Sequence, residues 1–340
     1  MKLNEAFNSN ANNKPAKPST KTIWMPKRPP LFYNRGSTNT VNMTHLLDIK
    51  DLNKADLEQL FKRADEIQTE TKALRLNRLA GKQAVCLFYE NSTRTLLSFQ
   101  LAASGLGATV FHLPVSHSSV QKGESFHDTI KTIVAMAPDA LIMRHPEDHA
   151  HQQIVDLLPN NVHLINAGDG QNQHPTQSLL DLYTIRQHKT NFQDLKVTII
   201  GDIKHSRVAN SLIDALTTLK TTNIVLYGPD NLMPKQYADK KADNINTALD
   251  QADVVVMLRI QKERFDKNEF LNINQWHQQY GLDADKLKLA NKDAIVMHPG
   301  PSNRGIEISA EVADGPQSVI LEQVANGVLL RQAVLYQFLS

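Results

Sequence analysis

From residue 44 onward, apolar positions recur in a regular alternation of spacings. Leu57, Leu60, Phe61 and Ala64 stand three and four residues apart, the period of one helix face. They predict a helix from an N-cap at Asp51 to near Thr71. A continuous apolar run at 84–89 reads as a buried strand, followed by a helix of small and apolar residues to Gly105. Further strands are expected at 109–113, 140–143 and 162–166, with a helix after Glu124. A long helix starts after His174-Pro175 and runs to about His188. The alternation then repeats, with strands at 197–200, 223–227, 254–258 and 294–297 and a last helix over 318–339. The segment 234–253 is short, which makes an ordinary strand near Asn244 doubtful.

Strands alternating with helices predict βαβ units. The expected class is α/β. It has two domains, each a parallel sheet flanked by helices, and the C-terminal helix packs back on the first. The expected boundaries are 43–185, completed by 320–340, and 186–319. A length of 340 residues suits two domains with a core each.

Charge separates off the N-terminus. Residues 1–42 carry seven basic side chains and one acid, Glu5, with no apolar periodicity, and read as a flexible basic arm. The whole chain is nearly balanced, at +2, which argues against nucleic-acid binding through bulk positive charge. A single cysteine, Cys86, excludes an internal disulfide framework. No apolar run approaches the roughly 18 residues of a membrane span, and no apolar core of a secretory signal is present. The expectation is a soluble cytoplasmic protein.

The densest local chemistry is at 89–95. Glu90, Asn91, Ser92, Thr93, Arg94 and Thr95 follow a buried strand and open a helix. Free backbone N–H groups, the positive end of the helix dipole, three hydroxyls and a guanidinium meet there, which suits a phosphate. The alternative is that Ser92 or Thr93 only caps the helix. Arg144, Arg207 and Arg259 each follow a strand, and parallel sheets bind ligands beyond the carboxyl ends of their strands. With Arg94 they indicate a multiply charged substrate. There is no P-loop, dinucleotide fingerprint, G-x-S-x-G or H-E-x-x-H motif. His145, His149 and His151 lack companion ligands at metal spacing and are expected in a solvated loop; no metal and no cofactor are expected.

Residues 88–95 resemble the carbamoyl-phosphate signature of the transcarbamoylases, as do 143–146 and 174–177. Residues 120–125, 259–264 and 298–301 resemble the aspartate branch of that family; Thr176 and Gly300 stand where the ornithine branch carries cysteines. The resemblance covers about residues 44–338. It implies transfer of a carbamoyl group from carbamoyl phosphate to the α-amine of L-aspartate, an early step of pyrimidine synthesis.

The resemblance also implies roles. Ser92, Thr93, Arg94 and Thr95 hold the phosphate. Arg144 binds phosphate and carbonyl oxygen, and His174 donates to that oxygen. Gln177 and the main-chain carbonyl of Gly300 or Pro301 accept from the carbamoyl NH₂. Arg207, Arg259 and Gln261 bind the aspartate carboxylates. Lys122 reaches the site of a neighbouring subunit, with Ser118 or Ser119 beside it. A homotrimer with shared active sites is implied. The arm, the 268–285 insertion and residues 300–304 resemble a bacterial subgroup that assembles with a dihydroorotase-like chain. Any zinc-bearing regulatory subunit would be a separate chain. Retained Arg94, Lys122, Arg144, His174, Arg207 and Arg259 argue against an inactive scaffold, and Arg259, Gln261 and Gly300-Pro301 against another acceptor.

Overall fold

The computed structural model describes residues 44–114, 123–261 and 273–340. The N-terminal arm, Ser118, Ser119 and Lys122, and parts of the motifs at 120–125 and 259–264 and of the 268–285 insertion, lie outside them.

Two four-stranded parallel sheets form, each flanked by helices. The first holds β1 (Gln83–Phe88), β2 (Thr109–Pro114), β3 (Ala140–His145) and β4 (His163–Asp169), in the order β2-β1-β3-β4. The second holds β5 (Lys196–Ile200), β6 (Asn223–Tyr227), β7 (Val254–Met257) and β8 (Ile295–Met297), in the order β6-β5-β7-β8. In each sheet the chain starts centrally, steps outward to one side, then crosses to the other. The topological switch therefore falls between β1 and β3 and between β5 and β7. A crevice opens at such a point beyond the strand ends, because the connections leave in opposite directions.

The helices, in chain order, are α1 (Lys54–Thr69), α2 (Lys72–Asn77), α3 (Thr93–Gly105), α4 (Phe126–Ala135), α5 (Ala150–Ile154), α6 (Pro175–His188), α7 (Arg207–Thr218), α8 (Ile245–Leu249), α9 (Ile273–Tyr280), α10 (Ala284–Leu287), α11 (Ala310–Ala313) and α12 (Ile320–Leu339). α6 is buried without interruption from Pro175 to Ile185. It packs on α7 and on α12, whose Leu330, Ala333, Val334 and Phe338 also meet α1 and α3. The C-terminal helix thus packs back on the helices of the first domain, as expected. Among the described residues no helix is long and apolar enough to cross a membrane.

Two expectations need correction. Asp51 does not cap the first helix. Asn53 does, its side chain accepting from the N–H groups of Ala55 and Asp56 while Asp56 accepts from the Asn53 N–H. This reciprocal box satisfies two orphan donors, which Asp51 cannot do from inside its own short turn, Ile49–Asp51. Nor do the three histidines share a solvated loop. His151 is fully buried, its Nε2 within 2.8 Å of the Met143 carbonyl. His145 ends β3 and stacks against Tyr89 and Phe126, with ring centroids 4.9 and 5.1 Å away. Only His149 is exposed. Between β6 and β7 the chain makes the short turn Lys235–Lys240 and α8, so the doubtful strand is indeed missing among the described residues.

Candidate active site

Both switch points open into one cavity of about 490 Å³. The N-cap and first turn of α3, after β1, supply Ser92, Thr93, Arg94 and Thr95, and the end of β3 supplies Arg144; the start of α7, after β5, supplies Arg207, and the segment after β7 supplies Arg259 and Gln261. His174, Gln177, Gly300 and Pro301 complete the set. Every site residue anticipated from sequence lines this cavity except Lys122 and its companion Ser118 or Ser119, which lie outside the described residues.

Ser92 occupies the N-cap of α3 but its hydroxyl makes no capping bond. It is therefore available to a ligand, together with the first-turn N–H groups. Arg94 is pushed below the ordinary guanidinium range by burial and by the charge of Arg259, which shows the two halves aiming cations at one point. Gly300 faces it with φ +65°, and a Cβ there would stand 3.2 Å from Arg94 Nε. Like charges from opposite sheets repel, and an anion between them offsets the repulsion.

Arg144 and Arg207 meet on a shared acid. Arg207 Nη2 donates to Glu90 Oε2 at 2.8 Å, and Arg144 Nη2 lies 3.2 Å from the same oxygen. The other arms donate to main-chain carbonyls, Arg207 Nη1 to Gly170 at 3.0 Å and Arg144 Nη1 to Ala167 at 3.3 Å. Gly168, at φ +120°, admits both guanidiniums, since a Cβ there would lie 3.1 to 3.2 Å from each. Among the described lining residues are five arginines and one carboxylate, Glu90. That excess of positive charge suits ligands carrying several negative charges.

His174 stands at the N-cap position of α6, ahead of Pro175. Its N–H donates to Ser211 Oγ at 2.7 Å, which ties α6 to α7. The ring is buried, and its Nδ1 has no hydrogen-bond partner among the described residues. Burial first, then the charges of Arg144, Arg207 and Arg331, hold its pKa well below 6.5. At neutral pH the imidazole is uncharged, a hydrogen-bond donor through one nitrogen only.

Aspartate/ornithine carbamoyltransferase family models match both halves: the carbamoyl-P binding domain over residues 44–187 and the Asp/Orn binding domain over 193–338. The chain belongs to this carbamoyltransferase family. The aspartate carbamoyltransferase catalytic subunit of Stenotrophomonas maltophilia is 45% identical over 305 residues, covering 88% of this chain and 96% of that protein. Aspartate transcarbamoylase of Trypanosoma cruzi, solved with carbamoyl phosphate and aspartate, superimposes with a TM-score of 0.78 at 30% identity, over 87% of this chain and 97% of that one. The same enzyme with N-(phosphonacetyl)-L-aspartic acid gives 0.76 at 31% identity, over 87% and 96%.

Asp181, Gln323 and Arg331 of this carbamoyltransferase chain were not singled out from sequence, and Glu90 was given no role of its own there. Glu90 sits inside the phosphate-type motif, where its role as the clamp on two distant arginines has no local signal. Asp181 did leave one, an acid four residues after Gln177 in a helix otherwise buried. Its Oδ1 accepts from Gln177 Nε2 at 3.0 Å and from Gln323 Nε2 at 2.8 Å. Burial pushes its pKa up to about 7, against those two bonds and the nearby charge of Arg331. Arg331 is itself buried; its Nη1 donates to Ser98 Oγ at 2.9 Å, its guanidinium lies 5.0 Å from the Phe99 ring centre, and desolvation lowers its pKa to about 10.

Proposed function

We propose that this chain transfers the carbamoyl group of carbamoyl phosphate to the α-amine of L-aspartate, giving N-carbamoyl-L-aspartate and phosphate for pyrimidine synthesis. The observation that carries the reading is a single cavity in which Arg94 and Arg144 from the first sheet face Arg207 and Arg259 from the second around a neutral His174. Ser92, Thr93, Arg94 and Thr95 hold the phosphate on the open N-terminus of α3, and Arg144 spans phosphate and carbonyl oxygen. Arg207, Arg259 and Gln261 take the two carboxylates. Ornithine would bring a second ammonium into a cavity already rich in guanidiniums, a like-charge penalty that favours aspartate.

The amine lone pair attacks the carbamoyl carbon and the carbonyl oxygen becomes negative. Neutral His174 donates to that oxygen, and Arg144 offsets its charge. A donor already in place and shielded from water stabilises the transition state more than the ground state. Gln177 and the carbonyl of Gly300 or Pro301 accept from the carbamoyl NH₂ and set the angle of attack. The C–O bond to phosphate then breaks, and the departing phosphate, lying beside the new C–N bond, takes the amine proton. The proposed roles need no protein nucleophile and no cofactor or metal.

The same proposal divides the chain into a carbamoyl-phosphate domain, 43–185 completed by 320–340, and an aspartate domain, 186–319. It makes the working form a cytoplasmic homotrimer in which Lys122, with Ser118 or Ser119, enters a neighbour's site. A larger assembly with a dihydroorotase-like or regulatory chain belongs to the same reading, as does binding of neither nucleic acid nor membrane. Purified chain supplied with carbamoyl phosphate should form carbamoylaspartate from aspartate and far less citrulline from ornithine; no product, or the reverse preference, would refute the function. Inactive Lys122→Ala and Arg94→Ala chains, dissociated and reassembled together, should regain part of the activity. No recovery in verified mixed oligomers would sink the shared site.

A further inference from the structure

One line of hydrogen bonds joins the two groups that the proposed function assigns to the carbamoyl NH₂. Gln177 Nε2 donates to Asp181 Oδ1 at 3.0 Å, and Gln323 Nε2 donates to the same oxygen at 2.8 Å. Gln323 Oε1 accepts from the His298 N–H at 2.9 Å, and His298 Nδ1 accepts from the Gly300 N–H at 2.8 Å. With its Nδ1 an acceptor, His298 carries its proton on Nε2, which donates to buried Glu307 at 3.2 Å. All five of these side chains are at least nine-tenths buried.

The line has a direction. Any proton on the Asp181 carboxyl belongs to Oδ2, which has no hydrogen-bond partner among the described residues, and the Oδ1 that both glutamines share accepts from each. It commits the NH₂ of Gln177, so the amide oxygen is the end left for the cavity. It commits the NH₂ of Gln323 too, which turns the Gln323 oxygen to His298 and fixes the start of the loop carrying Gly300 and Pro301. Asp181 does not itself line the cavity, whereas Gln177 and Gln323 do; it acts through them.

We propose that Asp181 and Gln323 are positioning residues that make the site select a donor bearing NH₂, rather than CH₃, beside its reacting carbonyl. Carbamoyl phosphate and acetyl phosphate have nearly the same shape and charge at the phosphate. A methyl group would leave both carbonyl acceptors desolvated and unpaired, and a site built to hydrogen-bond a substrate NH rejects the analogue lacking it. Without the Asp181 oxygen, the Gln177 amide turns over freely and one acceptor is lost. This inference rests on the proposed carbamoyl transfer.

The test compares three ligands on the full chain: carbamoyl phosphate as substrate, and acetyl phosphate and inorganic phosphate as competitive inhibitors. The unsubstituted protein should bind acetyl phosphate at least tenfold more weakly than carbamoyl phosphate. Asp181→Ala and Gln323→Met should each narrow that ratio about tenfold by weakening carbamoyl phosphate, with inhibition by inorganic phosphate unchanged. Asp181→Asn keeps an oxygen at the Oδ1 position and should retain the ratio. An unchanged ratio in Asp181→Ala, an equal loss for all three ligands, or loss in Asp181→Asn as large as in Asp181→Ala overturns the inference. Should Asp181→Ala not fold, Gln323→Met decides by the same criterion. Absence of any carbamoyl transfer by the unsubstituted protein is instead the failure of the proposed function.

Discussion

Removing the imidazole of His174 separates chemistry from binding and from folding. In His174→Ala the main-chain N–H still donates to Ser211 and Pro175 still opens α6, so the helix keeps its start. The ring Nδ1 makes no hydrogen bond among the described residues, and the lost volume adjoins a cavity of about 490 Å³ that water can fill. The stability cost therefore belongs at or below the low end of large-to-small core substitutions, about 2 kcal/mol. The ring is neutral, so its loss leaves the charges of Arg144 and Arg207 as they were. Turnover should fall about a hundred- to a thousand-fold, the cost of one oxyanion donor, roughly 2.7–4 kcal/mol. Carbamoyl-phosphate affinity should change by less than about threefold, because the phosphate contacts remain. Steady-state kinetics with both substrates, together with a melting curve, measures all three quantities on one variant. A stable variant with near-normal turnover would refute the donor role, as would equal losses in turnover and affinity. The depressed pKa adds a second check. Turnover should show no step near pH 6.5 that disappears in the variant.

Glu90→Gln removes the carboxylate on which Arg144 and Arg207 converge, and leaves two buried guanidiniums with weaker partners. Aspartate KM should rise about tenfold or more with little change in the overall fold; an unchanged aspartate KM would contradict the clamp. Asp181 titrates at about 7 in the folded chain, above its ordinary 3.8. The folded state thus binds its proton more tightly than the unfolded chain does, and this group's contribution lowers stability as pH rises from about 4 to 7, then levels off. The melting temperature of Asp181→Asn relative to the unsubstituted chain should therefore be higher at pH 8 than at pH 5. A constant difference would show that Asp181 does not titrate in that window.

The parts of the fold legible in the sequence depend on neighbours in the chain. Buried parallel strands read as apolar runs, and the residue after each run inherits a position at the rim of the sheet. Arg144 and Arg259 are legible in this way, and Arg207 by following the strand that ends at Ile200. Asp48, Asp51 and Asn53 all offer capping oxygens within six residues; Asp48 closes a box with Asp51 on the short turn before α1, and Asn53 closes one with Asp56 on α1 itself, a division that no local rule picks out. His151 looked solvated beside His145 and His149 because nothing local shows that α5 folds it against the Met143 carbonyl. The Glu90 clamp joins positions 117 apart in sequence, and the Asp181–Gln323 bond joins positions 142 apart. Such pairs are fixed by the return of α12 and by the approach of the second sheet to the first, neither of which a local window contains. Gln323 and Arg331 gain their partners, Asp181 and Ser98, only when α12 packs against α6 and α3.

One cavity is proposed to join carbamoyl phosphate to aspartate, and a crystal structure of the chain with N-(phosphonacetyl)-L-aspartate decides it, because that molecule carries both substrates in one covalent frame. The phosphonate should lie on Ser92 to Thr95 and Arg144, the carbonyl oxygen within hydrogen-bond distance of His174, and the two carboxylates on Arg207, Arg259 and Gln261. A compound that does not bind at millimolar concentration, or one seated away from the crevice between β1, β3, β5 and β7, would contradict it.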